Sequence, residues 1–290
     1  LREEFGGSVI ENFVEEYLAG RTPNPCVLCN TYIKWEALLR RADKLGCDWI
    51  ATGHYAKVRE EAGRMVISRG LDAHKDQSYV LWGVTQACLR RTMFPVGQYQ
   101  KSTIRQMALD YGFESLAKKP DSYEICFIPD NDYRGFLRRQ QPKKLEELSG
   151  GTFITTDGRV VGQHDGYPFF TIGQRKGLVA MGEPYYVTDI QPETNTVVIG
   201  KEDDLLDRSF TVRGLNMVKW DALPEEGTDA VTKIRYKDGG TPSVVHPADG
   251  AHARVVFQEP VRAITPGQSA VFYDGDDVIA GGWIDRVGGQ

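Results

Sequence analysis

The spacing of the apolar residues changes along the chain, and that change constrains the fold more than any single motif. From Glu11 to Tyr111 helical spacing alternates with short apolar runs. ENFVEEYLAG predicts a helix stopped at Gly20, YIKWEALLRRADKLG a second stopped at Gly46, and CDWIATG a buried strand directly after it. Helix and strand in alternation build an α/β layer. After about Leu205 only strands are written: FTVRGLNMV, AVTKIRYKDGG, ARVVFQEPV and SAVFYDGDDVIAGGWI, with Asp274-Gly275 marking a hairpin turn. That part reads as a small antiparallel barrel or sandwich. Between the two lie a polar segment with a basic cluster (Arg134, Arg138, Arg139, Lys143, Lys144) and the Gly-rich stretch GQHDGYPFFTIGQRKGL. A chain of 290 residues with this division is read as two or three domains, without internal repeat or low-complexity run.

Composition narrows the class. With 41% hydrophobic and 26% charged residues the chain can bury a core. Its 35 basic and 40 acidic residues give a formal charge of −5, which argues against indiscriminate coating of nucleic acid but leaves room for a local basic face. No apolar run approaches the roughly 18 residues of a membrane span and no signal peptide opens the chain, so a cytoplasmic protein is expected. Five cysteines, an odd number at irregular spacing, do not suit a disulfide scaffold and are expected to be reduced at rest.

Two of them stand in GRTPNPCVLCN, Gly20 to Asn30, as a Cys26-x-x-Cys29 pair in a turn-rich segment ahead of a helix. Such a pair suits zinc, a redox dithiol or an iron–sulfur cluster, since each needs thiolates a few ångströms apart. Ribbon-type zinc wants a second pair, and Cys47, Cys88 and Cys126 stand singly. A redox thiol gains from a helix start, where the dipole lowers its pKa, and Cys29 just before NTYIKWEALL has that placement. Cys47, opening an apolar run, and Cys88, in VTQACL, are expected to be small buried hydrophobes. Cys126, in PDSYEICFIPD, fits neither helix nor strand periodicity.

Taken together, GRTPNPCVLCN, ATGHYAKV, LDAHKDQSYVLWGV, DSYEICFIP, TIGQRKGL and ITPGQSAVFYDG resemble, in order and spacing over nearly the whole chain, the motif series of the bacterial tRNA-specific 2-thiouridylase (MnmA/TrmU) family. The resemblance implies α/β plus β: a parallel-sheet domain of the ATP-pyrophosphatase type (adenine nucleotide alpha hydrolase-like), a small central domain and a C-terminal antiparallel β-barrel. On this chain those domains are expected at 1–136, 137–204 and 205–290. It also implies the activity, an ATP-dependent (with Mg2+) exchange of the 2-oxygen of the wobble uridine for sulfur in tRNAs for Lys, Glu and Gln. ATP adenylates the oxygen so that it departs as AMP. The sulfur arrives as a persulfide on the cysteine matching Cys126, supplied by an upstream cysteine desulfurase or sulfur carrier. The thiol matching Cys29 assists release by forming a disulfide, a job suited to thiolates. Cys29 and Cys126 are therefore expected to meet.

This chain departs from the family pattern twice. Many members have Asp, assigned to general acid/base work, where this chain has Cys26. Three converging thiols, Cys26, Cys29 and Cys126, also suit a [4Fe–4S] cluster with one open iron, so a cluster route and a persulfide–disulfide route both stand. The second departure is the phosphate loop of the Ser-Gly-Gly-Val-Asp-Ser type, absent here; Phe5-Gly6-Gly7-Ser8 follows no strand. The chain is expected to begin partway into its first domain and, as given, to bind ATP poorly or not at all. Gly53 in ATGHY is what remains of the nucleotide pocket, letting a ring approach the strand end.

RNA contacts carry over residue by residue. Asn24, Pro25 and Cys26 match positions facing the target base. His54, Lys75, Asp76, Gln77, Arg235, Tyr236 and Gln268 match tRNA-contacting positions. Cations neutralise phosphates, while amides and an exposed aromatic read or stack on unpaired bases. The basic cluster with Arg175-Lys176 is expected to form a positive strip. The competing reading is a non-catalytic RNA-binding protein with structural thiols.

Overall fold

Phe13, Val14 and Tyr17 share one face of the Glu11–Leu18 helix and are buried, and the helix stops at Gly20, whose φ of +72° suits a residue without a side chain. The protein is seen here as a computed structural model describing residues 2–120 and 125–288; residues 121–124, the Asp-Ser-Tyr-Glu of DSYEICFIP, lie outside it. The second expected helix also forms, but earlier and with a different winding. It begins at Pro25, a residue pre-set for the first helical position, runs to Leu28, continues as a π-helix over Cys29–Ala37 and ends as Leu38–Lys44. Trp35, Leu39 and Ala42, at helical spacing, face the core.

Four short strands complete the first unit: β1 (Ile50–Ala51), β2 (Ala56–Glu61), β3 (Arg64–Arg69) and β4 (Thr92–Met93). β1 and β4 pair in parallel, Ile50 opposite Thr92. The buried strand expected over CDWIATG is thus reduced to two residues. Cys47, expected to be a buried hydrophobe, is exposed, and Trp49 is 52% exposed. The cause is local: the Cys47 N–H closes the helix end onto the Ala42 carbonyl, and the Arg91 guanidinium binds the carbonyls of Cys47 and Asp48, so this segment is committed to turn geometry. Cys88 is buried as expected.

The central unit is a four-stranded sheet of β5 (Gly151–Thr155), β6 (Val160–His164), β7 (Tyr186–Gln191) and β8 (Thr196–Gly200) in the order β6-β5-β8-β7, with β5 and β8 parallel. Its core includes Phe153, Val187, Val197 and Ile199 and takes in Phe13, Val14 and Tyr17 of the first helix together with Ile128 and Phe136.

The C-terminal unit has six strands, five of them the ones the sequence spells: β9 (Leu206–Met217), β10 (Thr228–Lys233), β11 (Thr241–Ala248), β12 (His252–Arg262), β13 (Ser269–Asp274) and β14 (Asp277–Val287), with β11, which carries Pro242 and Pro247, the one not read. β13 pairs with both β10 and β14, and β9 with both β12 and β14, so the antiparallel ladder closes into a barrel. The expected hairpin joins β13 to β14, with Asp274 opposite Asp277. β3 adds onto β14 at Ser68–Asp277, and Val218, Val271, Tyr273 and Val278 join the core of Trp35, Tyr79 and Leu81. Among the described residues no helix is long and apolar enough to cross a membrane.

Candidate functional site at the thiol helix

Cys26 lies in the first turn of the helix starting at Pro25, and Cys29 opens the π-helical stretch. In this stretch the Leu38 N–H reaches the Ile33 carbonyl, five residues back. The longer register brings residue i+5 over residue i, and such segments occur frequently at functional sites. It carries Lys34 toward Cys29. The cationic charge of Lys34 acts on Cys26, Cys29 and the His54 ring, which places one ammonium among the three.

The Cys126 thiol acts electrostatically on both Cys26 and Cys29, so the three thiols expected to converge do stand in one neighbourhood. All five cysteines are free, and Cys26 and Cys126 are exposed. The expectation of a lowered pKa at Cys29 is overturned. Protein packed around Cys29 raises it, with Cys126 in the same sense and Lys34 opposing. Cys26 is raised as well, first by burial of its thiol among protein atoms although the residue has an open face, then by Cys126, with Lys34 again opposing and Cys29 adding to the rise. The helix start that would depress a thiol belongs to Pro25, and Cys29 lies a full turn inside. Among the described residues no group of three or more His, Cys, Asp or Glu is disposed to hold a metal ion, so the [4Fe–4S] arrangement of Cys26, Cys29 and Cys126 has no formed ligand set.

The remaining expected contacts divide by what their side chains do. Asp76 is buried; one carboxylate oxygen accepts from the N–H of Gly70 and of Ser78, and the other from the Ser78 hydroxyl. Gln77 accepts from the Tyr55 N–H at 3.0 Å. His54 is buried against Trp35 and Phe94, 2.8 Å from Thr52 Oγ1, and burial followed by the Lys34 charge pushes its pKa down to about 3. Lys75 follows Asp72 in a turn, its N–H on the Asp72 carbonyl. Arg235 and Tyr236 are exposed at the barrel end, Arg235 donating to the carbonyls of Arg262 and Ala263. Gln268 donates to the carbonyls of Thr22 and Pro23. Pro25 is buried, and Asn24 precedes it without capping the helix. Gly53 is exposed two residues beyond β1, and a Cβ there would meet nothing within 4 Å, which suits approach of a flat ring.

The basic strip is partly paired. Arg138 faces Asp165 at 3.6 Å and Arg139 faces Asp130 at 3.8 Å, while Arg134 donates to the Phe169 carbonyl. Beside it an open cleft of about 370 Å³ is lined by Tyr133, Arg134, Gln174 and Lys176. Two residues of the thiol site escaped the sequence reading. Lys34 is five from Cys29, a distance that α-helical geometry assigns to another face. Tyr79, in QSYVLWGV, is fully buried with its hydroxyl shared between the Asn24 side chain and the Ser269 carbonyl.

An α/β unit, a small sheet domain and a closed barrel, with Cys26, Cys29 and Cys126 in one neighbourhood of the first, define a transferase of the ATP-pyrophosphatase class. The family comparisons agree. Residues 1–130 match the tRNA methyl transferase HUP domain, 135–201 the tRNA methyl transferase PRC-barrel domain, and 208–284 the aminomethyltransferase β-barrel domain. The chain is 58% identical to the tRNA-specific 2-thiouridylase MnmA of Amoebophilus asiaticus over 98% of its own length and 76% of that protein's. It is 57% identical to the protein of the same name from Salinibacter ruber (100% and 76%) and 50% identical to that from Carboxydothermus hydrogenoformans (99% and 78%). The chain belongs to the tRNA-specific 2-thiouridylase family.

Proposed function

We propose that this protein is a tRNA-uridine 2-sulfurtransferase, replacing the 2-oxygen of the wobble uridine of tRNAs for Lys, Glu and Gln by sulfur. The observation that carries the reading is the neighbourhood of Cys126 with Cys26 and Cys29, the latter two under the charge of Lys34. The family descriptions speak of methyl transfer and the relatives' names of thiolation. Three neighbouring thiols favour thiolation, because a sulfur relay needs a carrier thiol and a second thiol to release it.

ATP, with Mg2+, supplies the activation that turns the uridine oxygen into a leaving group, and Gly53 leaves room for its ring. Cys126, an exposed thiol, receives the sulfur as a persulfide from a cysteine desulfurase or sulfur carrier. The outer sulfur attacks C2 of the activated base, forming a C–S bond as the C–O bond breaks and AMP departs with its electron pair. The Cys29 thiolate then attacks the Cys126 sulfur, forming a Cys29–Cys126 disulfide and freeing 2-thiouridine; an external thiol reductant restores both thiols. Cys26 stands where it can hold or give the proton that an aspartate handles in many relatives. The persulfide route is favoured over a [4Fe–4S] route because the three cysteines form no ligand set. Asn24 stands toward the target base and Lys75, Arg235 and Tyr236 flank the RNA, while the buried Pro25, His54 and Asp76 and the hydrogen-bonded Gln77 and Gln268 hold the backbone beneath that surface, with units divided at 1–136, 137–204 and 205–290.

The test is mass spectrometry of wobble uridine in tRNA from cells whose own gene carries Cys126→Ala. Loss of 2-thiouridine, with tRNA binding kept by the purified variant, is expected. Persistence of the modification at the parent level overturns the role of Cys126.

A further inference from the structure

The segment that leads into the thiol helix is fastened from the barrel. The Gln268 side-chain amide donates both its hydrogens to this segment, to the Thr22 carbonyl at 3.1 Å and the Pro23 carbonyl at 2.9 Å. The Thr22 N–H answers by donating to the Pro266 carbonyl at 2.9 Å. Contact is close enough that a Cβ on Gly267, at φ +87°, would sit 2.8 Å from the Thr22 oxygen. The loop making these contacts is itself locked into the barrel, Gly267 N–H to the Ile284 carbonyl and Ile284 N–H to the Gln268 carbonyl. One residue on, the Ser269 carbonyl accepts from Tyr79, whose hydroxyl also meets the Asn24 side chain.

The thiol helix, by contrast, has no cap of its own. Asn24 occupies the capping position, a place where asparagine ordinarily satisfies the first free N–H groups, yet it makes no side-chain cap bond. The start of the helix is therefore set by its neighbours, and Cys26 lies only three residues beyond Pro23. We propose that Gln268 is a positioning residue for the reactive thiols: seated on the barrel, its amide fixes residues 22–25 and through them the placement of Cys26 and Cys29. Its consequence for turnover rests on the sulfurtransferase reading above; its consequence for the thiols does not.

The experiment compares the parent with Gln268→Glu, which keeps the shape but turns a two-hydrogen donor into an acceptor facing two carbonyls, and with Gly267→Ala, which pushes the same carbonyl away sterically. Iodoacetamide labelling of Cys29, followed by peptide mass spectrometry without tRNA or ATP, is expected to change severalfold in both. In the full-length enzyme kcat is expected to fall by about tenfold or more, on the scale of a small misplacement of reacting groups, with the melting transition of Gln268→Glu close to the parent's and that of Gly267→Ala lowered by a side chain at φ +87°. A labelling rate equal to the parent's in both variants overturns the proposal whatever the activity. A raised KM with unchanged kcat and unchanged labelling overturns it in favour of Gln268 as an RNA contact alone. Should Gln268→Glu not fold, Gln268→Met, which removes the donors without adding charge, carries the same comparison. Changed labelling in a protein with no thiolation activity at all, parent included, upholds the clamp while overturning the functional reading.

Discussion

The Arg59 guanidinium holds both carboxylate oxygens of Asp277 at 2.9 Å, tying β2 of the first unit to β14 of the barrel across 218 residues. Asp277 also accepts from Ser68 Oγ at 2.6 Å and Lys219 Nζ at 2.9 Å, and its carboxyl is held well below the usual carboxylate range, chiefly by Arg59. Fork-shaped pairing of this kind is the stronger sort of ion pair.

Asp277→Asn is expected to destabilise the junction by about 1 kcal/mol, less than a buried hydrogen bond to a charged group contributes because Arg59 is partly exposed. An acid whose folded pKa is depressed stabilises above its unfolded value, about 3.9, and that stabilisation is lost as pH falls. Urea unfolding at pH 7 and near pH 3 should therefore show parent and variant drawing together at the lower pH. A gap that stays constant excludes the linkage.

His54 yields the second prediction. Its folded pKa of about 3 lies below the unfolded value of about 6.5, so the unfolded chain binds the extra proton between these limits. Stability from neutral burial is thus complete above about pH 7 and declines as pH falls toward 3. At pH 5 the difference amounts to about 2 kcal/mol as an upper bound. His54→Gln should flatten the stability profile between pH 7.5 and 5, and an unchanged slope would show that the ring does not remain neutral in the fold.

A third prediction concerns the buried bond under the thiol helix. Trp35 is fully buried and donates its indole N–H to Thr92 Oγ1 at 2.6 Å, while the Thr92 hydroxyl donates to the Cys88 carbonyl at 2.8 Å. Thr92→Val leaves the indole N–H without a partner, expected to cost about 1–3 kcal/mol. Trp35→Phe removes the donor instead and opens space, so its cost should be at least as large. Urea midpoints of the two variants check the order.

How far these features were legible depends on whether their cause is local. Gly20 and Gly46 end helices because a positive φ is a property of one residue, and five of the six barrel strands are written in alternating apolar residues with the Asp-Gly turn, whereas the two prolines of Thr241–Ala248 hid the sixth. The short parallel pairing of Ile50 with Thr92 was not legible in CDWIATG, because it depends on where Arg91, more than 40 residues later, places its guanidinium. The thiol neighbourhood was legible through motif resemblance, whereas the sign of the Cys29 pKa shift was not: helix-end logic presumed the wrong starting residue. The second role of Gln268 was likewise hidden, since a side chain 245 residues from Pro23 carries no mark in sequence of the carbonyl it meets.

The last prediction concerns Lys34, which the π-helical register carries toward Cys29. Burial pushes the Cys26 and Cys29 thiols up, and Lys34 opposes it in both. Removing the charge should therefore move both thiols further from ionisation. Lys34→Met is expected to slow iodoacetamide labelling of Cys29 at pH 8 severalfold, because the thiolate is the form that reacts and its fraction falls with the charge gone, while Lys34→Arg should restore most of the rate. The labelling profile of the methionine variant should rejoin the parent's at a pH high enough to ionise both. If the two profiles differ at every pH, including that limit, Lys34 acts on access to the thiol and not on its charge, and the electrostatic account of the π-helical segment fails.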